Sequence, residues 1–553
     1  MKKLWLLFGW LLALPVAAQK SSHNFEVAKQ LDIFNALYKE LDLYYVDTLE
    51  ARKNIDNAIL YMLDRLDPYT VYYPEDKTDE LKQMTTGKYA GIGSVISFRE
   101  KEDRCIIANP YEGMPAAEAG VRRGDIILAI DGKDVGTCGK QDQGSYSSTV
   151  SAALRGEPGT TFELRVRRPT SGRTLNFKLT RRSVALPSVT FSNIVADSIG
   201  YVLLNGYTEN TSRDLRLAIA DLKQRGARRL VLDLRSNPGG LMMEAVNITG
   251  FFIPRGKEVL STKGKVKEMN AVYKTQSDPL DPHIPLAVLV DGGTASSAEI
   301  TSGALQDYDR AVIIGQRTYG KGLVQQPREL PYKGMLKLTT SKYYIPSGRC
   351  IQAYDFKDGR PQHVPDSLAR DFLTAAGRTV RDGGGITPDI QVTPDSLPGL
   401  IDYLAASDAL FDYCVNYRNK HERIAPPAKF RLTDAEYEDF KRFLKESGFT
   451  YDRQSRRVLD MLRRVAAREG YAEEAGPELD ALEAKLVHNE DYDLEHWKTE
   501  IKELIEATII ANYYYERGVA EYNLRHDKEL DEAVKVLSDD RRYRKLLSGV
   551  PEP

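Results

Sequence analysis

The sequence predicts a multidomain α/β protein with helical N- and C-terminal regions, and three observations carry that reading. From about 196 to 350, strand-like apolar runs alternate with helical ones, the pattern of a sheet covered by helices. From Gly87 short apolar runs are broken by glycines, as in a small β-domain. After Pro398 β-branched runs thin out, and residues 435–548 are rich in Glu, Lys, Arg, Leu and Ala.

The chain has 553 residues, enough for three or four domains of roughly 100–200 residues each. Residues 1–18 read as a signal peptide: Lys2 and Lys3 are basic, 4–14 is apolar, and Val16, Ala17 and Ala18 supply small residues for cleavage. The apolar run is shorter than the ~20 residues of a membrane span. No similar run follows, and no cysteine follows it to carry a lipid. The mature chain is therefore expected to start near Gln19, to lack a transmembrane span, and to work in the periplasm or cell envelope.

Residues 19–85 are expected to form a helical N-terminal domain. Phe25, Leu31, Phe34, Leu37, Leu41 and Tyr45 recur at helical spacing, and Pro68 and Pro74 end the region. Residues 86–182 hold strand candidates at 92–98, 105–108, 126–130 and 162–166, with Asp131-Gly132 as a turn. Residues 183–398 alternate strands (200–204, 230–234, 286–290, 311–314) with helices (215–222, 241–252, 296–307). The wholly apolar 286–290 suits a buried sheet. Residues 399–553 are expected to be a helical C-terminal domain.

Composition narrows the chemistry. A net charge of −2 gives no reason to expect a nucleic-acid partner. The four cysteines form no CxxC pair and have no histidine at metal-ligand spacing. Export would permit a Cys105–Cys138 disulfide, and single buried thiols fit equally well. Seven scattered histidines without HExxH argue against a zinc protease, so neither metal nor cofactor is expected.

Three stretches carry reactive groups. Asp291-Gly-Gly-Thr-Ala-Ser296-Ser297-Ala-Glu299 follows an apolar strand and opens a helix, with Ser296 and Glu299 at capping-box spacing. A hydroxyl there meets free backbone N–H groups and the positive helix end, which suit an oxyanion; an ordinary N-cap would look the same. Gly315 to Lys321 matches GxxxxGK. Gly322 stands where a phosphate-binding loop needs Ser or Thr, and 323–327 reads as a strand rather than the required helix. Glycines beside Lys321 let other backbone approach closely, and a lysine held there can be desolvated, which lowers its pKa and frees a neutral base for a nucleophilic serine; an exposed lysine on a hairpin would look the same. Gln325 falls on the same strand face and could orient the amine. Leu230 to Gly240 ends an apolar strand in Pro-Gly239-Gly240, whose N–H groups could complete an oxyanion hole.

Taken together, Ser296, Lys321, Gln325, the Asp233–Gly240 stretch, Leu66-Asp-Pro-Tyr-Thr70, Tyr343-Tyr-Ile-Pro-Ser-Gly-Arg349 and Gly385-Ile-Thr-Pro-Asp389 resemble the carboxyl-terminal processing, or tail-specific, proteases. The likeness spans about 25–395; Thr294 departs from the serine usual in that family. The resemblance implies a crotonase-like α/β protease core preceded by a PDZ domain. It implies Ser296 as nucleophile, Lys321 as general base, Gln325 as its positioner, and Ser297 with Gly239 or Gly240 as oxyanion hole. Asp307 reads as structural. Tyr89 to Gly93 resembles a PDZ carboxylate-binding loop, in which Gly91, Ile92 and Gly93 would receive a peptide C-terminus. The implied partners are proteins or peptides with exposed C-termini. The helical regions leave open a homo-oligomer, an adaptor contact or a cap on the core. Two other classes compete with this reading. One is a binding scaffold on a dead protease fold, disfavoured by the intact Ser296, Lys321 and Gln325. The other is a Ser-His-Asp hydrolase, which would need His283; that residue lies in an Asp-Pro-His-Ile-Pro loop, and the chain has no GxSxG.

Overall fold

The computed structural model describes residues 23–78, 81, 88–169, 171–185, 187–394, 397–451, 454–486 and 490–549. The expected signal segment 1–18 lies outside them.

The central α/β core is built on a six-stranded sheet. Its order is Val189–Ala196, Ile199–Leu204, Arg229–Asp233, Leu286–Val290, Val312–Gly315 and Ile390–Gln391. The first pair is antiparallel and the rest are parallel. Every residue of Leu286–Val290 is buried because helices cover both faces of the sheet. Leu286, Val288 and Val290 point into a core shared with helices Thr211–Gln224, Met242–Thr249 and Ser297–Asp307. Ala287 and Leu289 point the other way, onto Leu530, Ala533, Val536 and Leu537.

That second layer comes from the chain's last helices, Lys528–Ser538 and Asp540–Leu547. The residues whose role the sequence left open therefore complete the sandwich. Tyr543 reinforces the contact by accepting the Leu286 N–H at 3.0 Å. Arg235 joins the buried Asp233 to Asp527 and Glu529 at the start of the capping helix. The helices Asp408–Lys420, Asp434–Glu446 and Lys498–Asn523 make a separate core around Tyr437, Phe440, Leu444 and Ile505.

The N-terminal reading needs correction. Helices His23–Tyr44 and Ala51–Asp64 form, but the first buries no residue and the second only Leu63. Phe25, Leu31, Phe34, Leu37, Leu41 and Tyr45 are all exposed. Their periodicity makes a helix, yet its apolar side stays open to solvent, so among the described residues these two helices build no core of their own. Moreover, Val71–Tyr73 is an antiparallel strand on Met335–Tyr344, in a second, five-stranded sheet.

Between these lies a β-module. Strands Ser94–Arg99, Arg104–Pro110, Ile126–Ile130, Thr161–Arg168 and Arg173–Thr180 form its sheet around Ile107, Ile127, Leu164 and Val166. A ladder of Lys88–Gly91 on Arg182–Ala185 closes its base. Arg99, only 5% exposed, latches the module to helix Asp408–Lys420 through Asp412 and Asp408, each 2.9 Å away. All four cysteines are free thiols, with Cys105 and Cys138 buried in or beside this module.

Candidate active site

Strand Leu286–Val290 turns through Asp291–Ala295 into helix Ser297–Asp307, leaving Ser296 at the corner with φ 54°. A β-carbon makes that left-handed conformation costly, so surrounding bonds must hold it. They are numerous. Asp291 Oδ1 accepts from Gly293 N at 2.9 Å and from Ser236 N at 2.8 Å. The Thr294 hydroxyl donates to Leu234 O at 2.8 Å, so this threonine ties the two turns together. Ala295 N donates to Asn237 O at 2.9 Å.

The centre of the site is a carboxylate that the sequence marked only as a helix-cap partner. Glu299, with no solvent exposure, accepts from Ser296 N at 2.8 Å, Gly320 N at 2.7 Å, Lys321 N at 2.9 Å and the Thr318 hydroxyl at 2.5 Å. One side chain thus fixes the backbones carrying both reactive groups. Burial pushes its carboxyl above the ordinary range, and the four donors oppose that shift. Ser-x-x-Glu spacing was a legible signal for the first bond; the donors from 318–321 had none.

The Pro-Gly-Gly turn lies against the serine because neither glycine has a β-carbon. On Gly239 a Cβ would stand 2.8 Å from Ser296 Cβ and from Ser297 N; on Gly240 it would stand 2.1 Å from Tyr207 O. The Gly239 amide is already engaged, donating to Asn237 Oδ1 at 2.9 Å. The Ser297 hydroxyl donates to Gly240 O at 2.9 Å and ties this turn to the helix. Among the described residues no hydrogen bond uses the backbone N–H of Ser297 or Gly240.

Lys321 sits between two close approaches. A Cβ on Gly320 would come within 2.4 Å of Ala353 Cβ, and one on Gly322 within 2.8 Å of Gln352 N. The chain continues as strand Leu323–Glu329, not the helix a phosphate loop requires. Burial, helped by the neighbouring Lys337 cation, brings the Lys321 amine down to about 8, against the pull of Glu299 and Asp67. Its Nζ lies 4.6 Å from the centroid of the Tyr69 ring. Gln325 donates its amide to Thr339 Oγ1 at 3.1 Å instead of to the lysine. Among the described residues no hydrogen bond joins Lys321 Nζ to Ser296 or Gln325.

Asp307 does not reach this site. It is paired with the buried Arg349 at 2.8 Å and accepts from Ser347 N at 2.9 Å, anchoring the far helix end. His283 is exposed, its backbone N–H held by Asp281 at 3.1 Å. In the β-module, the carbonyls of Ile92 and Gly93 accept from Ala116 and Tyr111, at 2.9 Å each, and no bond among the described residues uses their amides. Gly93 has φ 69° and lies under Met114, 2.3 Å from where its own Cβ would be. The edge strand Ser94–Arg99 runs on from that loop beside helix Gln143–Leu154, with Phe98 edge-on to Tyr146 at 6.0 Å.

Comparison with known proteins adds the following. Residues 198–359 match peptidase family S41, 106–168 a PDZ domain, and 400–537 the C-terminal helical domain of probable PDZ-proteases. The carboxy-terminal-processing protease of Bartonella bacilliformis is 35% identical over 346 residues, 62% of this chain and 77% of that one. Carboxy-terminal processing protease CtpA of Bacillus subtilis is 29% identical over 398 residues, 72% and 82% of the two chains. The solved photosystem II D1 C-terminal processing protease is 27% identical, with a TM-score of 0.36 over 66% of this chain and 88% of that one, too low a score for comparing geometry.

Proposed function

The chain belongs to the carboxy-terminal processing serine proteases of peptidase family S41, and from that premise we propose that Ser296 and Lys321 perform its hydrolysis. The observation that carries this assignment is Glu299 binding the backbone of both residues. Ser296 Oγ attacks the peptide carbonyl while Lys321 Nζ, neutral, takes the hydroxyl proton. The amides of Ser297 and Gly240 receive the oxyanion. Lys321 then returns the proton to the leaving amine, and the C–N bond breaks to leave an acyl-serine. Water, deprotonated by Lys321, releases the acid and restores Ser296. Gln325 orients Lys321 once its amide leaves Thr339.

The PDZ domain points to binding of peptide C-termini. Ile92 and Gly93 offer unengaged N–H groups to the carboxylate, and the tail adds as a strand along Ser94–Arg99. The substrates are proteins with exposed C-termini. We place the enzyme outside the cytoplasm, on the support of the basic–apolar–small pattern of residues 1–18. No helix among the described residues is long and apolar enough to cross a membrane.

Digestion of an unfolded test protein, with fragments read by mass spectrometry, tests the reading. Wild type should cut and Ser296→Ala should not, though folded. Cutting by Ser296→Ala would reject the nucleophile. For the PDZ site, amidating a bound peptide's C-terminus should weaken its binding markedly. The N-terminus of secreted protein should lie near Gln19; Met1 there would reject signal cleavage.

A further inference from the structure

The Leu66-Asp67-Pro68-Tyr69-Thr70 stretch has no part in the reaction as written, yet the fold brings it against the base. Asp67 builds the loop: Oδ1 accepts from Tyr69 N and Thr70 N, at 2.8 Å each, and Oδ2 accepts from the Thr70 hydroxyl at 3.0 Å. The following strand Val71–Tyr73 pairs with Lys337, Leu336 and Met335, and Thr70 Oγ1 accepts from Thr339 N at 3.2 Å. The loop is therefore stitched onto the strand that also carries the partner of Gln325. Its exposed turn delivers one side chain inward. The face of the Tyr69 ring lies 4.6 Å from Lys321 Nζ, its hydroxyl is 3.3 Å from Tyr319 Oη, and Phe356 meets it edge-on at 5.9 Å.

We propose that Tyr69 is a positioning residue for the general base, its ring closing one side of the Lys321 amine from water and setting where that amine can rest. The inference depends on Lys321 being the base. An aromatic face attracts an ammonium, while its bulk excludes water from it. Burial is the first cause of the lowered Lys321 pKa, so water exclusion prevails. The other charged or titratable groups facing the amine are Lys337 on the neighbouring strand, Glu299 on the serine helix and Asp67 in the loop itself, with Tyr319 across from Tyr69. None is removed by changing Tyr69.

The test uses the full-length mature enzyme and a small fluorophosphonate that labels the active serine, which removes tail recognition from the readout. The labelling rate is followed against pH for wild type, Tyr69→Phe, Tyr69→Ala and Tyr69→Gln, with thermal melting of each. The phenylalanine variant keeps the ring and should keep the midpoint. Alanine and glutamine admit water, so the midpoint should rise by about half a pH unit or more, with the rate at high pH largely recovered. Glutamine leaves the Asp67 and Thr70 bonds in place and serves if alanine lowers the melting temperature. A loss of rate equal at every pH, or an unmoved midpoint in folded alanine or glutamine variants, would overturn the proposal. Wild type that fails to label at Ser296 would instead overturn the Ser296–Lys321 reading, and this inference with it.

Discussion

The two halves of the active site are held in different ways. The serine half is closed upon itself: Asp291, Thr294, Ala295 and Asn237 fix the corner from within the core, and Ser296 keeps a strained backbone because of them. The lysine half is open. Its backbone is fixed by Glu299, but its amine rests on a ring supplied by the N-terminal segment, and Gln325 is turned toward Thr339. Preorganised oxyanion donors are the larger source of rate in acyl transfer, and the proposed mechanism draws them from the rigid half. It draws the proton acceptor from the half that distant segments can reach.

The largest expected effect removes the base altogether. Lys321→Ala, folded as judged by circular dichroism, should lose turnover by roughly a thousandfold or more. Lys321→Arg should not restore it, because a guanidinium stays protonated. Substantial turnover in the arginine variant would make the open half a charge holder only.

Cutting the bond between the halves comes next. Glu299→Gln keeps an acceptor but loses charge, and should slow turnover about 10- to 100-fold while lowering stability by ~1–3 kcal/mol in denaturant titrations. Unchanged turnover would mean that the two halves are positioned independently.

How much of this was legible divides along the same line. Ser296 and its helix start lie in one stretch of sequence, as do Gly239 and Gly240, so both could be read locally. Gly320 and Gly322 do permit the close approach expected of them, although the approaching Ala353 and Gln352 were not nameable. Glu299 was visible as a cap but not as the hub, because three of its donors come from 318–321. Tyr69 and Asp67 act on a lysine some 250 positions away, and no periodicity encodes that. The same limit hid strand Val71–Tyr73 inside an expected helical domain. It also left the last helices unassigned, although Leu530, Ala533, Val536 and Leu537 form one face of the central sheet's core.

A smaller effect concerns stability. Because folding lowers the Lys321 pKa from 10.5 to about 8, the folded state resists carrying that charge. The penalty is full below pH 8 and fades as pH rises toward 10.5. Lys321→Met should therefore be more stable than wild type by about 1–3 kcal/mol near pH 6–7, and the gain should shrink toward pH 10. A gain independent of pH would point to packing rather than charge. The smallest effect expected is none: His283→Ala should cleave within about twofold of wild type. His283 lies exposed on a loop before strand Leu286–Val290, at the opposite end of that strand from Ser296, whereas Glu299 ties the Lys321 backbone to that of Ser296.

The most direct measurement lowers the basicity of the amine while keeping its reach nearly the same. Lys321→Cys treated with 2-bromoethylamine yields a lysine analogue of nearly equal length and lower basicity, compared with wild type carried through the same treatment. If neutral Lys321 is the base, cleavage should return and the acid limb of kcat/KM should move to lower pH. An active enzyme whose acid limb stays where the native lysine has it would contradict the account.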